Sequence, residues 1–143
     1  MKMYVITIMD NKRSVQVADR CIQSGLVFGN KIEKHPAFSP ENCNVYEELK
    51  KHGYDDNGFI EKYSRPENCI AGFLSHHSLW EKCIELSEPI VIFEHDAVVI
   101  NDIPELPMFD ILSIGKPSYG KFNTPSFLAV SYTHLTLPTT PYV

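Results

Sequence analysis

The sequence predicts an α/β domain built on a largely parallel sheet. Three observations carry that expectation. A β-branched run near the start gives way to apolar residues at helical spacing, a second and longer helical pattern leads into an unbroken apolar run, and Gly and Pro clusters punctuate the alternation. Tyr4, Val5, Ile6, Thr7 and Ile8 form the first strand, since β-branched and aromatic side chains suit a pleated, packed surface. From Arg13 onward Val15, Ala18, Cys21, Ile22 and Leu26 recur at helical intervals, so a helix follows. Gly25 lies near its end, and residues 26–28 read as the start of a short second strand before Gly29 and Asn30. Pro36, Ser39, Pro40 and Asn42 make residues 34–44 a loop, after which residues 46–52 fit one or two helical turns.

Ser64, Arg65 and Pro66 stop what precedes them, and a longer helix is expected over residues 67–86. Ile70, Phe73, Leu74, His77, Trp80 and Ile84 recur there at helical spacing, with Phe73 and Trp80 as the expected anchors on the sheet. Pro89 introduces Ile90, Val91, Ile92 and Phe93, an apolar strand of the kind covered on both faces in a parallel sheet. It ends in Glu94, His95 and Asp96. Residues 102–107 read as a loop, and residues 109–114 as another short apolar strand closed by Gly115 and Pro117.

Composition bounds the function. The 143 residues are 43% hydrophobic and 22% charged, enough to bury a core and too apolar for a disordered chain. Thirteen Lys and Arg against eighteen Asp and Glu leave a net charge of −5, which offers no basic surface for counterion-driven binding and argues against nucleic acid as a partner. Cys21, Cys43, Cys69 and Cys83 include no C-x-x-C pair, which fits free thiols in a reducing compartment. The opening apolar run is too short for a signal segment or a transmembrane span. Cytoplasmic residence follows as the simplest expectation, with peripheral membrane association left open.

Two segments carry candidate chemistry. At the carboxyl end of the apolar strand, Glu94 and Asp96 stand in an E-x-D arrangement, at the edge where open α/β sheets bind ligands. Side chains at i and i+2 of an extended chain share a face, so the two carboxylates can meet on one hard cation while His95 points the other way. The alternative is that they mark the solvated end of a strand. Just upstream lies the run from Ala71 to Trp80, with His76 on the helical face of Phe73 and Trp80. His76 is either a buried, hydrogen-bonded histidine or a pocket residue, and His77 reads as structural. Cys69 and Cys83 lie seven residues on either side of His76, about 10 Å along a helix and too far for chelation of one ion. After the first strand, Asp10 and Arg13 can face a base or a phosphate, Arg being suited to phosphate oxygens; a helix-capping Asp beside a solvated Arg is the alternative. Lys116, Tyr119 and Lys121 form a later loop open to an anion or to solvent alone.

Together the two blocks resemble glycosyltransferase family 25, the lipopolysaccharide and lipooligosaccharide galactosyltransferase-like proteins. Leu74, Ser75, His76 and Trp80 match the family's G-C-x-L-S-H-x-x-x-W helix, and Phe93, Glu94, Asp96 and Ala97 match its strand ending E-D-D-A. The spacing of the blocks, the opening strand with Asp10 and Arg13, and the run from Phe109 to Leu112 are also similar to the family. The resemblance covers residues 3 to about 128, with Gly72 where the family often has Cys and His95 in place of the middle Asp. It implies a glycosyltransferase A-type, Rossmann-like nucleotide-sugar-binding domain, with Asp10, Arg13 and His76 around the donor and Glu94 and Asp96 on a divalent metal, Mn²⁺. The implied reaction is inverting transfer of a hexose, galactose from its uridine diphosphate, to a saccharide or glycolipid acceptor in cell-surface glycan synthesis. The catalytic base is not identified. A non-catalytic nucleotide-sugar-binding or assembly module of the same fold, favoured by His95, and a nucleotidyltransferase, for which no Gly-rich phosphate loop is present, are the rival expectations.

Ala129 to Thr139 resembles one reading frame of the transposon-end adapter used in sequencing libraries. Residues 129–143 are therefore expected to be an artefactual tail, set aside from fold reasoning. Residues 1–128 are expected to be the N-terminal part of a longer domain, which predicts that this chain alone does not turn over.

Overall fold

A computed structural model of the chain describes residues 1–60, 64–103 and 110–114. The chain divides into two compact units, Met1–Ile103 and Pro104–Val143. The first unit holds every described element: β1 (Lys2–Thr7), α1 (Lys12–Val27), β2 (Ile32–Pro36), α2 (Val45–Lys51), α3 (Pro66–Leu86) and β3 (Ile90–Phe93). Within the second unit, residues 110–114 form bends and open coil rather than the expected strand. Phe109, Lys116, Tyr119, Lys121 and the tail from residue 129 lie outside the described residues.

The three strands form one parallel sheet in the order β2-β1-β3, with Met3 opposite both Ile32 and Val91. The α/β expectation holds, and the alternation along β1 shows why. Tyr4, Ile6 and Ile8 face one side, packing with Ile90, Ile92 and Leu79 of α3. Val5 and Met3 face the other, packing with Ala18, Cys21 and Ile22 of α1 and with Ile32 and Phe93. A period-two strand thus feeds two helical layers. A third cluster, Val45, Leu49, Ile70, Ala71 and Leu74, joins α2 to α3.

Two element boundaries and one helix face differ from the sequence expectation, each for a local reason. First, α1 runs on to Val27, and the second strand begins only at Ile32. Gly29, at φ 72°, closes the helix: its N–H donates to Leu26 O and that of Asn30 to Gly25 O, both at 3.0 Å. This is the paired bonding of a Schellman turn, which the left-handed conformation of Gly permits. Gly25 is therefore inside the helix and marks close packing, since a Cβ there would lie 2.5 Å from Ile32 Cδ1. Second, residues 34–36 belong to β2 rather than to a loop. Third, the face of α3 that meets the core is Ile70, Ala71, Leu74, Ser75 and Leu79, whereas Phe73 and Trp80 are half-buried and Ile84 is exposed. Ser75 and Ser78 fasten that face to the β2 strand and the residues after it. Ser75 Oγ accepts from Phe38 N at 3.0 Å, and Ser78 Oγ shares a 2.8 Å hydrogen bond with His35 Nε2.

Candidate functional site

The chain leaves β1 to build β2 on one side and later returns to place β3 on the other. That reversal opens a crevice beyond the carboxyl ends of β1 and β3, the place where open α/β sheets bind ligands. A cleft of about 260 Å³ lies there. Ile8, Asn11, Arg13, Ser14 and Val17 line it from the β1–α1 side, and His95 and Asp96 from the end of β3.

The β1–α1 side is built by local hydrogen bonding. Asn11, not Asp10, caps α1: its side-chain oxygen accepts from Ser14 N at 3.0 Å, while the buried Ser14 hydroxyl accepts from Ile8 N at 3.0 Å. The signal was present, because Asn is a favoured cap residue. Asp10 is exposed in the preceding turn and does not line the cleft. Lys12 and Arg13 open the helix, and its first turn has no acidic residue. Helix N-termini carry partial positive charge and favour anionic side chains. Of the two cations, Arg13 lines the cleft, and a guanidinium beside a helix N-terminus suits a phosphate.

The acidic motif is divided by a turn. β3 stops at Phe93, and Ala97 N donates to Glu94 O at 3.0 Å, so residues 94–97 are not extended. The rule that i and i+2 share a face does not apply there. Asp96 and His95 line the α1 cleft, contrary to the expectation that His95 points away from Asp96. Arg20 donates to the Asp96 carbonyl at 3.1 Å, and Val99 N donates to Ser24 Oγ at 2.9 Å, which laces this segment onto α1. The Asp96 carboxylate has no hydrogen-bond or ion-pair partner among the described residues.

Glu94 instead meets α3, its Oε1 lying 2.7 Å from His76 Nε2. That hydrogen bond holds the Glu94 carboxyl below its ordinary value, against the opposing effect of burial, so it stays ionised at neutral pH. His76 is half-buried beside Trp80, with ring centroids 6.3 Å apart. Asp96 does not join Glu94 and His76 in a set of three ligand atoms within 4.8 Å; among the described residues His52, His77 and Glu81 do. Sequence reading missed that group, because His52 joins the i, i+4 pair of His77 and Glu81 from a different helix.

The four cysteines are free. Burial against α1's neighbours pushes the Cys21 thiol up to about 11, and Cys83 Sγ donates to Glu88 O at 3.2 Å, so neither serves the cleft. No helix among the described residues is long and apolar enough to cross a membrane. No curated protein and no solved structure matches the chain. The sequence profile described as glycosyltransferase family 25 (LPS biosynthesis protein) matches residues 1–126.

Proposed function

The chain belongs to glycosyltransferase family 25, and on that premise we propose that its cleft takes the diphosphate of a nucleotide-sugar donor, a uridine diphosphate hexose. Glycosyl transfer is the general activity of the family. The finer reading is transfer of galactose to a saccharide or glycolipid acceptor at the cytoplasmic face of a membrane. The observation that carries it is the pairing, in one crevice at the strand-order reversal, of a cationic helix start with the Asp96 carboxylate from the turn after β3, which has no partner among the described residues.

In this reading Arg13 and the first N–H groups of α1 receive phosphate oxygens. Asp96 and Glu94 offer hard oxygen donors, the set that Mn²⁺ or Mg²⁺ takes from a protein when substrate phosphates complete the coordination. Asp96 is the donor that faces the cleft, with no hydrogen-bond or ion-pair partner among the described residues, whereas Glu94 stands toward α3, kept ionised by His76, and would join the same ion only by turning toward the cleft. The cation supplies neutralisation of the charge that grows on a departing diphosphate. His76 orients Glu94, and Arg20 fixes the backbone that presents Asp96.

The test is binding of uridine diphosphate with and without Mn²⁺. Asp96→Asn keeps the side chain's shape and removes a hard ligand, so metal-dependent binding should fall at least about ten-fold, with circular dichroism unchanged. Arg13→Ala should weaken binding with or without the metal. Unchanged Mn²⁺-dependent binding in Asp96→Asn would overturn the assignment.

A further inference from the structure

A second group of ligating side chains lies where α2 meets α3. His77 and Glu81 are four residues apart on α3 and share a face. His52 is the C-cap of α2, which ends in a Schellman turn: Gly53, at φ 81°, donates to Lys50 O at 2.9 Å, and Tyr54 N donates to Leu49 O at 3.1 Å. The turn thus brings both His52 and Tyr54 against α3. Glu81 reaches out between the two imidazoles, with Oε1 3.6 Å from His52 Nδ1 and Oε2 3.8 Å from His77 Nδ1. One ligand atom from each residue falls within 4.8 Å of the other two.

We infer that His52, His77 and Glu81 form a binding site for one zinc-class divalent cation, which ties the end of α2 to the middle of α3. Three features support it. First, the spacing differs from that of a closed ion pair. His76 and Glu94, one residue along, meet at 2.7 Å, whereas the contacts around Glu81 stand at 3.6 and 3.8 Å, too long for hydrogen bonds. Zinc bonds of about 2.0–2.2 Å place tetrahedral ligand atoms roughly 3.3 Å apart, so a group whose ligand atoms already lie within 4.8 Å of one another closes on an ion by side-chain adjustment of about 1.5 Å or less. Second, His77 Nδ1 is shut off from solvent and has no hydrogen-bond partner among the described residues, an arrangement that is costly for a ring nitrogen unless something coordinates it. Third, the Tyr54 hydroxyl lies 3.2 Å from His77 Nε2. A hydroxyl accepting the Nε2 proton fixes the tautomer that frees the Nδ1 lone pair, the outer support typical of ligating histidines.

The donor chemistry selects the ion. Two imidazoles and one carboxylate suit Zn²⁺ or Co²⁺ and are a poor set for Mg²⁺ or Ca²⁺. Phe73 and Trp80, with ring centroids 5.8 and 6.2 Å from that of His77, give the inner side an apolar wall. Glu81 and His52 keep 50% and 27% of their side chains exposed, leaving an entry path and room for a water as fourth ligand. The site uses none of the residues assigned to the nucleotide-sugar donor.

The untagged chain, stripped of metal, is titrated with Co²⁺ alone and then with Zn²⁺. One Co²⁺ per chain should give the visible absorption of a four-coordinate ion, and one equivalent of Zn²⁺ should remove it. His52→Gln and Glu81→Gln, both at half-open positions, should each weaken Zn²⁺ binding at least about ten-fold and abolish the rise in Tm that Zn²⁺ gives the parent chain. Tyr54→Phe, which keeps the ring, should weaken it by about 10–100-fold. Asp96→Asn should bind Zn²⁺ as the parent does, which separates this site from the strand ends. The inference is overturned if the parent gives only a six-coordinate Co²⁺ spectrum. It is equally overturned if folded His52→Gln and Glu81→Gln chains keep the parent's Zn²⁺ affinity, or if the loss appears in Asp96→Asn instead.

Discussion

His76 and the turn after β3 give the two carboxylates of the acidic motif different environments. Glu94 accepts a hydrogen bond from α3, while Asp96 faces the cleft beside α1. The pairing has a pH signature. Because the folded-state value of Glu94 lies below its ordinary 4.5, its contribution to stability is present above that value and is lost as the pH falls through the lower folded one. With the Glu94 side chain 61% exposed, solvent screening limits the effect to about 1 kcal/mol or less. Urea denaturation should therefore show a small advantage of the parent over Glu94→Gln at pH 7 that shrinks by pH 3. An advantage that grows on acidification would contradict the pairing. The residues themselves were legible, since Glu94, Asp96 and His76 stand in recognisable runs. Their division was not, because the face-sharing rule presumes an extended chain and the turn is closed by a backbone hydrogen bond invisible in side-chain identities.

At the scale of elements, α3 shows how a helical pattern can offer two faces. Phe73 and Trp80 were the expected anchors, yet the core takes Ile70 and Leu74 from the same pattern together with Leu79, which the pattern did not include, all three fully buried. Serine conceals the true face. Ser75 and Ser78 sit on it because they bond to Phe38 N and His35, and a count of apolar residues passes over them. Leu79→Ala should cost about 2–5 kcal/mol in denaturant, the usual range for emptying a buried leucine site. Trp80→Ala should cost less, since Trp80 packs with Phe73, His76 and His77 at the margin. The reverse order would restore Trp80 as the anchor. Strand and helix types were readable from periodicity, while the end of α1 was not. Gly29, which stops the helix, resembled a break after a strand until the bonds to Leu26 and Gly25 were seen.

For the whole unit Met1–Ile103, strand order is what sequence could not supply. Each strand announces itself locally, but the pairing of Lys2 with Ile90 joins residues near its two ends. With β1 hydrogen-bonded on both sides, its amides should be the slowest in the sheet to exchange with solvent. Hydrogen exchange followed by NMR checks this through Val5 and Ile6; slower exchange at Val91 and Ile92 would contradict the order. The same central position has a consequence during synthesis. β1, α1 and β2 are complete once the ribosome has made the first 36 residues, yet the other neighbour of β1 is still unwritten. At roughly 5–20 residues per second, β3 emerges on the order of 3–10 s later. The strand that ends as the best protected thus spends its first seconds with one edge open, and a chaperone that binds extended apolar segments would find its target in the opening residues of this chain.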